Sequence, residues 1–124
     1  MERKLAILSI VVALIHFSGE TWWHLLYGQF LPMLIVDYIA VALLLFAGIR
    51  SLQSGGAIGL LCGAWGFEFC LNYRTLFWRV EVWLAGDASP QIAAEVTVLG
   101  VLLIFALAVF LTTLYLCNKQ VSAA

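Results

Sequence analysis

His16, Glu20 and His24 stand at four-residue steps at the end of an apolar run, LAILSIVVALIHFSGETWWH. Residues four apart on a helix are stacked neighbours, so these three form a ladder on one narrow stripe. Two chemistries suit such a ladder. Imidazole titrates near neutrality and carboxylates exchange protons, so a chain of them can load and release protons. Alternatively, a pair at i and i+4 can ligate a metal, as in helices with two histidines at that spacing. One ion cannot take the whole ladder, because eight residues of helix rise about 12 Å while metal–ligand bonds are about 2 Å. A metal would therefore use His16 with Glu20, or Glu20 with His24, and would need Asp37 or Glu68 from another segment. The set His16, Glu20 and Glu68 is the metal-ligating combination expected, if an ion is bound at all.

The remaining ionisable residues within apolar stretches are few. Asp37 lies in LPMLIVDYIAVALLLF and Glu68 in LLCGAWGFEFCLN, with Asn72 four residues on, while Glu95 follows Pro90 at the start of the last stretch. Ionisable groups inside a membrane segment are costly unless paired or hydrated, and so point to a site. His16, Glu20, Asp37, Glu68 and Asn72 are the expected ligand- or proton-binding residues. His24 and Glu95 are secondary. His24 follows two tryptophans where an interface is expected, and Glu95 is accounted for by the positive end of a helix. Tyr38 is a further hydrogen-bonding neighbour.

The elements that carry these residues follow from composition. Of 124 residues 65% are hydrophobic and 10% charged, and the mean hydropathy is +1.06. A water-soluble domain of this size cannot hide that much apolar surface, whereas a membrane protein needs it. The net charge of −1 and the lack of a basic cluster give no sign of a nucleic-acid partner. Cys62, Cys70 and Cys117 are odd in number, lack CxxC spacing and read as free thiols.

A helix crosses the hydrocarbon core with about 20 apolar residues. Four windows meet that length, at 5–26, 31–51, 57–78 and 91–117. YGQF reads as a tight turn, SLQSGG as a polar connection, and RVEVWLAGDASP as the one longer loop. Pro32 and the Ser89-Pro90 pair suit helix first turns. Short connections imply antiparallel neighbours, so the expected fold is an all-α, up-down bundle of four transmembrane helices forming a single domain. Glu2-Arg3-Lys4 before an apolar run has the outline of a secretory signal, but Phe17-Ser18-Gly19 is a poor cleavage site and apolar character resumes at Trp22. The segment reads as a retained span.

Basic residues set the orientation. With both ends inside, Arg3, Lys4, Arg50 and Lys119 face the cytoplasm, and Arg74 and Arg79 lie outside, offset by Glu81 and Asp87. Trp22, Trp23, Tyr27, Trp78 and Trp83 then gather at the outer interface, as aromatic belts do. In this arrangement His16, Glu20, Asp37, Glu68 and Glu95 all fall in the outer half of the membrane. The membrane expected is a bacterial cytoplasmic membrane, with the lipid bilayer as the first partner.

Gly56, Gly59, Gly63 and Gly66 recur at steps of three, four and three, on the face nearly opposite Glu68. The pattern contains GxxxG, which lets helix backbones approach closely in lipid. It serves either a neighbouring helix of the same chain or a homodimer or larger membrane complex.

Together these features suggest a small carrier-like protein that binds or conducts a proton, a cation or a small polar ligand. In size, span count and a glutamate in the first helix, Glu20, the chain resembles the small multidrug-resistance exporters. The likeness is architectural, since the residues around Glu20 do not follow their pattern. Two other readings fit the residues. One is an accessory or assembly subunit of a larger membrane complex. The other is an intramembrane enzyme acting on a lipid or quinone, with Glu20 or Glu68 as acid/base and His16 as partner. No nucleophile motif, phosphate loop or cofactor fingerprint accompanies them, and a haem between facing histidines is disfavoured because both histidines lie on one helix.

Overall fold

The computed structural model describes residues 1–124 and is entirely helical outside its turns. Helix α1 runs Glu2–Tyr27, α2 Leu31–Ser54, α3 Ile58–Leu84 and α4 Pro90–Ala123. Local chemistry explains the boundaries. Pro32 occupies the first turn of α2 after an extended Phe30, where its missing N–H costs nothing. Ser89 caps α4, its Oγ accepting from the Ile92 amide at 3.3 Å, with Pro90 as the first helical residue. The α2–α3 connection rests on Gly55 and Gly56, both at positive φ (63° and 65°), a conformation that a side chain would strain.

Two connections are shorter than their polar composition suggests. SLQS continues α2 to Ser54, leaving only Gly55 to Ala57 as the turn. RVEVWL continues α3 to Leu84, so the expected long loop shrinks to Ala85–Ser89. Neither stretch contains glycine or proline before its end, and nothing stops the helix. The α3 extension is also tied to α4, with Arg79 Nε 3.0 Å from Glu95 Oε2.

These short turns make sequential helices antiparallel neighbours. Helix α1 packs mainly on α2, α3 mainly on α4, and the two hairpins meet chiefly through α2 and α3. Long side chains also join α1 to α3. Trp65 Nε1, wholly buried, donates to Ser9 Oγ at 2.8 Å, and the Ala57 amide donates to Glu2 Oε1 at 2.9 Å. Edge-on packing of Trp65 on Phe105, with centroids 5.8 Å apart, brings in α4.

Small residues bring α1 and α2 close. Ala6, Ala13, Ala40 and Ala47 are buried, and a Cβ on Gly48 would lie 2.8 Å from both the Ala6 carbonyl oxygen and Ile10 Cγ1. Among the glycines the tightest contact is therefore that of Gly48 on α2, not one of the series from Gly56 to Gly66. That series does not act as one seam. Gly56 lies in the turn, Gly59 and Gly63 meet nothing within 4 Å, and Gly66 faces Phe110 of α4.

The surface is inverted relative to a water-soluble domain. Only 22 of 124 residues are buried, and Glu68 is among them, whereas Leu14, Ile15, Ile35, Phe46, Val101 and Ile104 are exposed. Apolar surface on that scale needs an apolar surrounding. Helices α1, α2 and α4 are long and apolar enough to cross a membrane. Helix α3, with 27 residues, has the length, but Glu68, Asn72 and Arg74 interrupt its apolar character.

Candidate functional site

Antiparallel pairing sets the heights at which polar residues meet. Going up α1 from the turn at 55–57 and down α2 from the turn at 28–30, His16 and Glu20 come level with Asp37 and Tyr38. Thr21 Oγ1 and Tyr38 Oη, 2.8 Å apart, fix that register. Going up α3, Glu68 arrives one helical turn above Trp65, which is itself level with Ser9.

His16 is the hub. Its Nδ1 lies 3.1 Å from Glu68 Oε1 and 3.2 Å from Oε2. Its Nε2 lies 3.6 Å from Asp37 Oδ1. One imidazole from α1 is thus held between carboxyl groups of α2 and α3. The side chains of His16 and Asp37 are each 14% exposed and that of Glu68 7%, so these contacts are made largely out of contact with solvent. Glu20, one turn above His16, belongs to the same cluster: single ligand atoms of His16, Glu20 and Asp37 all lie within 4.8 Å of one another.

Around this centre lies a ring of hydrogen bonds. Asn72 Nδ2 donates to Glu68 Oε1 at 3.0 Å and to the Glu68 carbonyl oxygen at 2.9 Å. Gln29 Nε2 donates to Glu20 Oε2 at 2.8 Å. Gln29 sits in the α1–α2 turn, and only its turn-forming role is legible in YGQF; its reach back over nine residues is not. Its backbone amide donates to His24 Nδ1 at 3.1 Å. His24 thus shapes the turn that carries Gln29 and is not part of the carboxylate–imidazole cluster.

Of the expected residues, His16, Glu20, Asp37, Glu68 and Asn72 come together, whereas His24 and Glu95 do not. Glu95 lies past the first turn of α4 and is engaged by Arg79 and by Gln91 Nε2 at 3.1 Å, so an ion pair and a hydrogen bond account for it rather than the helix end. The three side chains whose ligand atoms lie close enough to share one ion are His16, Glu20 and Asp37, while Glu68 lies on the opposite nitrogen of the imidazole. Cys62, Cys70 and Cys117 are free.

The cluster is rich in carboxyl groups. Three carboxyl groups surround one imidazole, and the only ion pair made by a lysine or arginine is Arg79–Glu95. Such an arrangement can hold protons, or a cation, shared among the four side chains. An apolar groove of about 410 Å³ runs beside it between α1 and α2, lined by Leu14, Phe17, Tyr38, Val41, Ala42 and Leu45. Its one polar group, the Tyr38 hydroxyl, is engaged by Thr21, so the groove presents no free acid or base. Comparison of the chain with family models, with curated proteins and with solved structures returns no match.

Proposed function

We propose that the chain is an integral membrane protein of four spans with both ends on the cytoplasmic side, and that it binds a proton or a cation in the outer half of the membrane in a carrier-like role. The observation that carries this reading is the His16 imidazole held between Asp37 and Glu68, with Glu20 completing the cluster. Ionisable groups gathered from three helices in an otherwise apolar molecule are costly, and function is their usual justification. Helix α3 is the fourth span in this view: Glu68 is buried, Asn72 is bonded to it, and Arg74, which is exposed, reaches the interface. Where the ion is a proton, Glu20 and Glu68 load and release it, and His16 lies between them.

The test is charge displacement in liposomes on a solid-supported membrane after jumps in pH and in cation concentration. Wild-type protein is expected to give a transient current that Glu20→Gln and Glu68→Gln abolish while inserting normally. Folded wild-type protein that gives no current under any of these jumps overturns the proposal.

The open Gly59 and Gly63 face favours a second reading, an accessory subunit packed against a larger complex. That reading expects co-purification with a complex that is lost when both glycines are replaced by leucine. A chain that purifies alone from its native membrane under mild detergent contradicts it.

A further inference from the structure

The choice of cation deepens the cation-binding reading and rests on it. We infer that the cluster is a centre for a first-row divalent transition-metal ion, ligated by His16 Nε2, Glu20 and Asp37, with Glu68 and Asn72 as the outer layer that orients His16.

Four observations converge. The first is spacing: one ligand atom each from His16, Glu20 and Asp37 lies within 4.8 Å of the other two. A tetrahedral ion with bonds of about 2.0–2.1 Å sets its ligands about 3.4 Å apart, so small side-chain rotations close the shell around it. The second is the division of labour on the imidazole. Glu68 takes Nδ1 with both oxygens, which leaves Nε2 facing Asp37 and free to ligate. A metal-bound histidine commonly gives its other nitrogen to a carboxylate, which fixes tautomer and ring orientation. Asn72 in turn anchors that carboxylate at 3.0 Å, and Gln29 orients the ligand Glu20 at 2.8 Å.

The third observation is charge. Glu20, Asp37 and Glu68 have no lysine or arginine within ion-pair distance, and one imidazole cannot balance three carboxylates. A divalent ion offsets two of those three charges while the ligating imidazole stays neutral. The fourth is an orphaned acceptor: Gln29 Oε1 is buried with no hydrogen-bond partner, on the same amide that holds Glu20. A cation or its bound water satisfies such an oxygen.

The donor set narrows the ion. One imidazole nitrogen with carboxylate oxygens, and no thiolate in the group, suits Zn²⁺, Mn²⁺, Fe²⁺ or Co²⁺ better than Cu⁺, which prefers sulfur, or Mg²⁺ and Ca²⁺, which prefer all-oxygen shells.

The test is a titration of the full chain in mild detergent, stripped with chelator, using Zn²⁺ for stoichiometry and Co²⁺ for its spectrum. One equivalent per chain is expected, with Co²⁺ visible bands and no thiolate charge-transfer band. Glu20→Gln and His16→Ala are expected to lose that equivalent. Glu68→Gln is expected to keep it at 10- to 100-fold weaker affinity. Helicity and gel-filtration profile check the fold. Should His16→Ala not assemble, the near-isosteric Glu20→Gln and Glu68→Gln carry the test.

Absence of a bound equivalent, or an equivalent that Glu20→Gln leaves intact, overturns the inference. Currents on a pH jump from a chain that binds no metal sink the metal centre while leaving the proton-binding reading standing. A chain with neither currents nor bound metal defeats both.

Discussion

Replacing His16 by alanine should expose how the helices depend on their polar centre. The substitution removes the partner that lies 3.1 Å from Glu68 and 3.6 Å from Asp37. Breaking a buried ion pair by removing one member costs about 3–5 kcal/mol, because the other charge stays behind without compensation. Glu68→Gln preserves shape and a carbonyl for Asn72 but removes the charge, and should cost about 1.5–3 kcal/mol, the range for a hydrogen bond to a charged group. The double variant loses the His16–Glu68 interaction only once. Its cost should therefore fall below the sum of the single costs by about 1.5–3 kcal/mol. Neutral interhelical hydrogen bonds in lipid average about 0.6 kcal/mol, so a coupling of that size would signal an ordinary polar contact, and a larger one a charged pair. The assay is reversible unfolding by SDS in mixed micelles, followed by circular dichroism, for all four members of the cycle. A coupling within about 0.5 kcal/mol of zero, the usual scatter for independent sites, refutes the role of His16 as hub.

Two contrasts elsewhere in the bundle follow from its packing. Gly48→Ala places a methyl 2.8 Å from the Ala6 carbonyl oxygen and from Ile10 Cγ1, and should destabilise by about 1–3 kcal/mol, whereas Gly63→Ala meets nothing within 4 Å and should be neutral or up to about 1 kcal/mol stabilising; equal effects in SDS unfolding would contradict the α1–α2 contact. Trp65→Phe removes the bond to Ser9 and part of a wholly buried ring, and should lower stability by about 2 kcal/mol; an unchanged midpoint would count against the α1–α3 link.

Much of the arrangement is legible in the residues because helical period and span depth are simple geometry. The His16–Glu20 step places both on one stripe, and short antiparallel turns bring Asp37 and Glu68 to similar heights. Which way each stripe faces depends on the rotation of each helix against its neighbours, and packing decides that. This is why the sequence does not tell that His16 is the centre, or that it is Asp37 whose ligand atom lies within 4.8 Å of those of both His16 and Glu20. Gln29 carries no signal in the sequence because its partner lies back across a turn, at a spacing with no helical period. Gly48 carries none either, since one glycine among alanines makes no pattern, whereas the four glycines from Gly56 to Gly66 make a pattern that the bundle does not use as one seam. The α3 extension to Leu84 reads as a loop because its charges stand out in sequence, and the Arg79–Glu95 pair that absorbs one of them lies across two helices.

The central claim is that acids from α2 and α3 meet the imidazole of α1 inside the bundle. Solid-state NMR of the protein in lipid bilayers, with labelled histidine, aspartate and glutamate, reads this directly, since His16 and His24 are the only histidines. The account expects through-space correlations from His16 Nδ1 to the Glu68 carboxyl carbon and from Nε2 to that of Asp37. A His16 ring that correlates only with acyl chains or bulk water would contradict it.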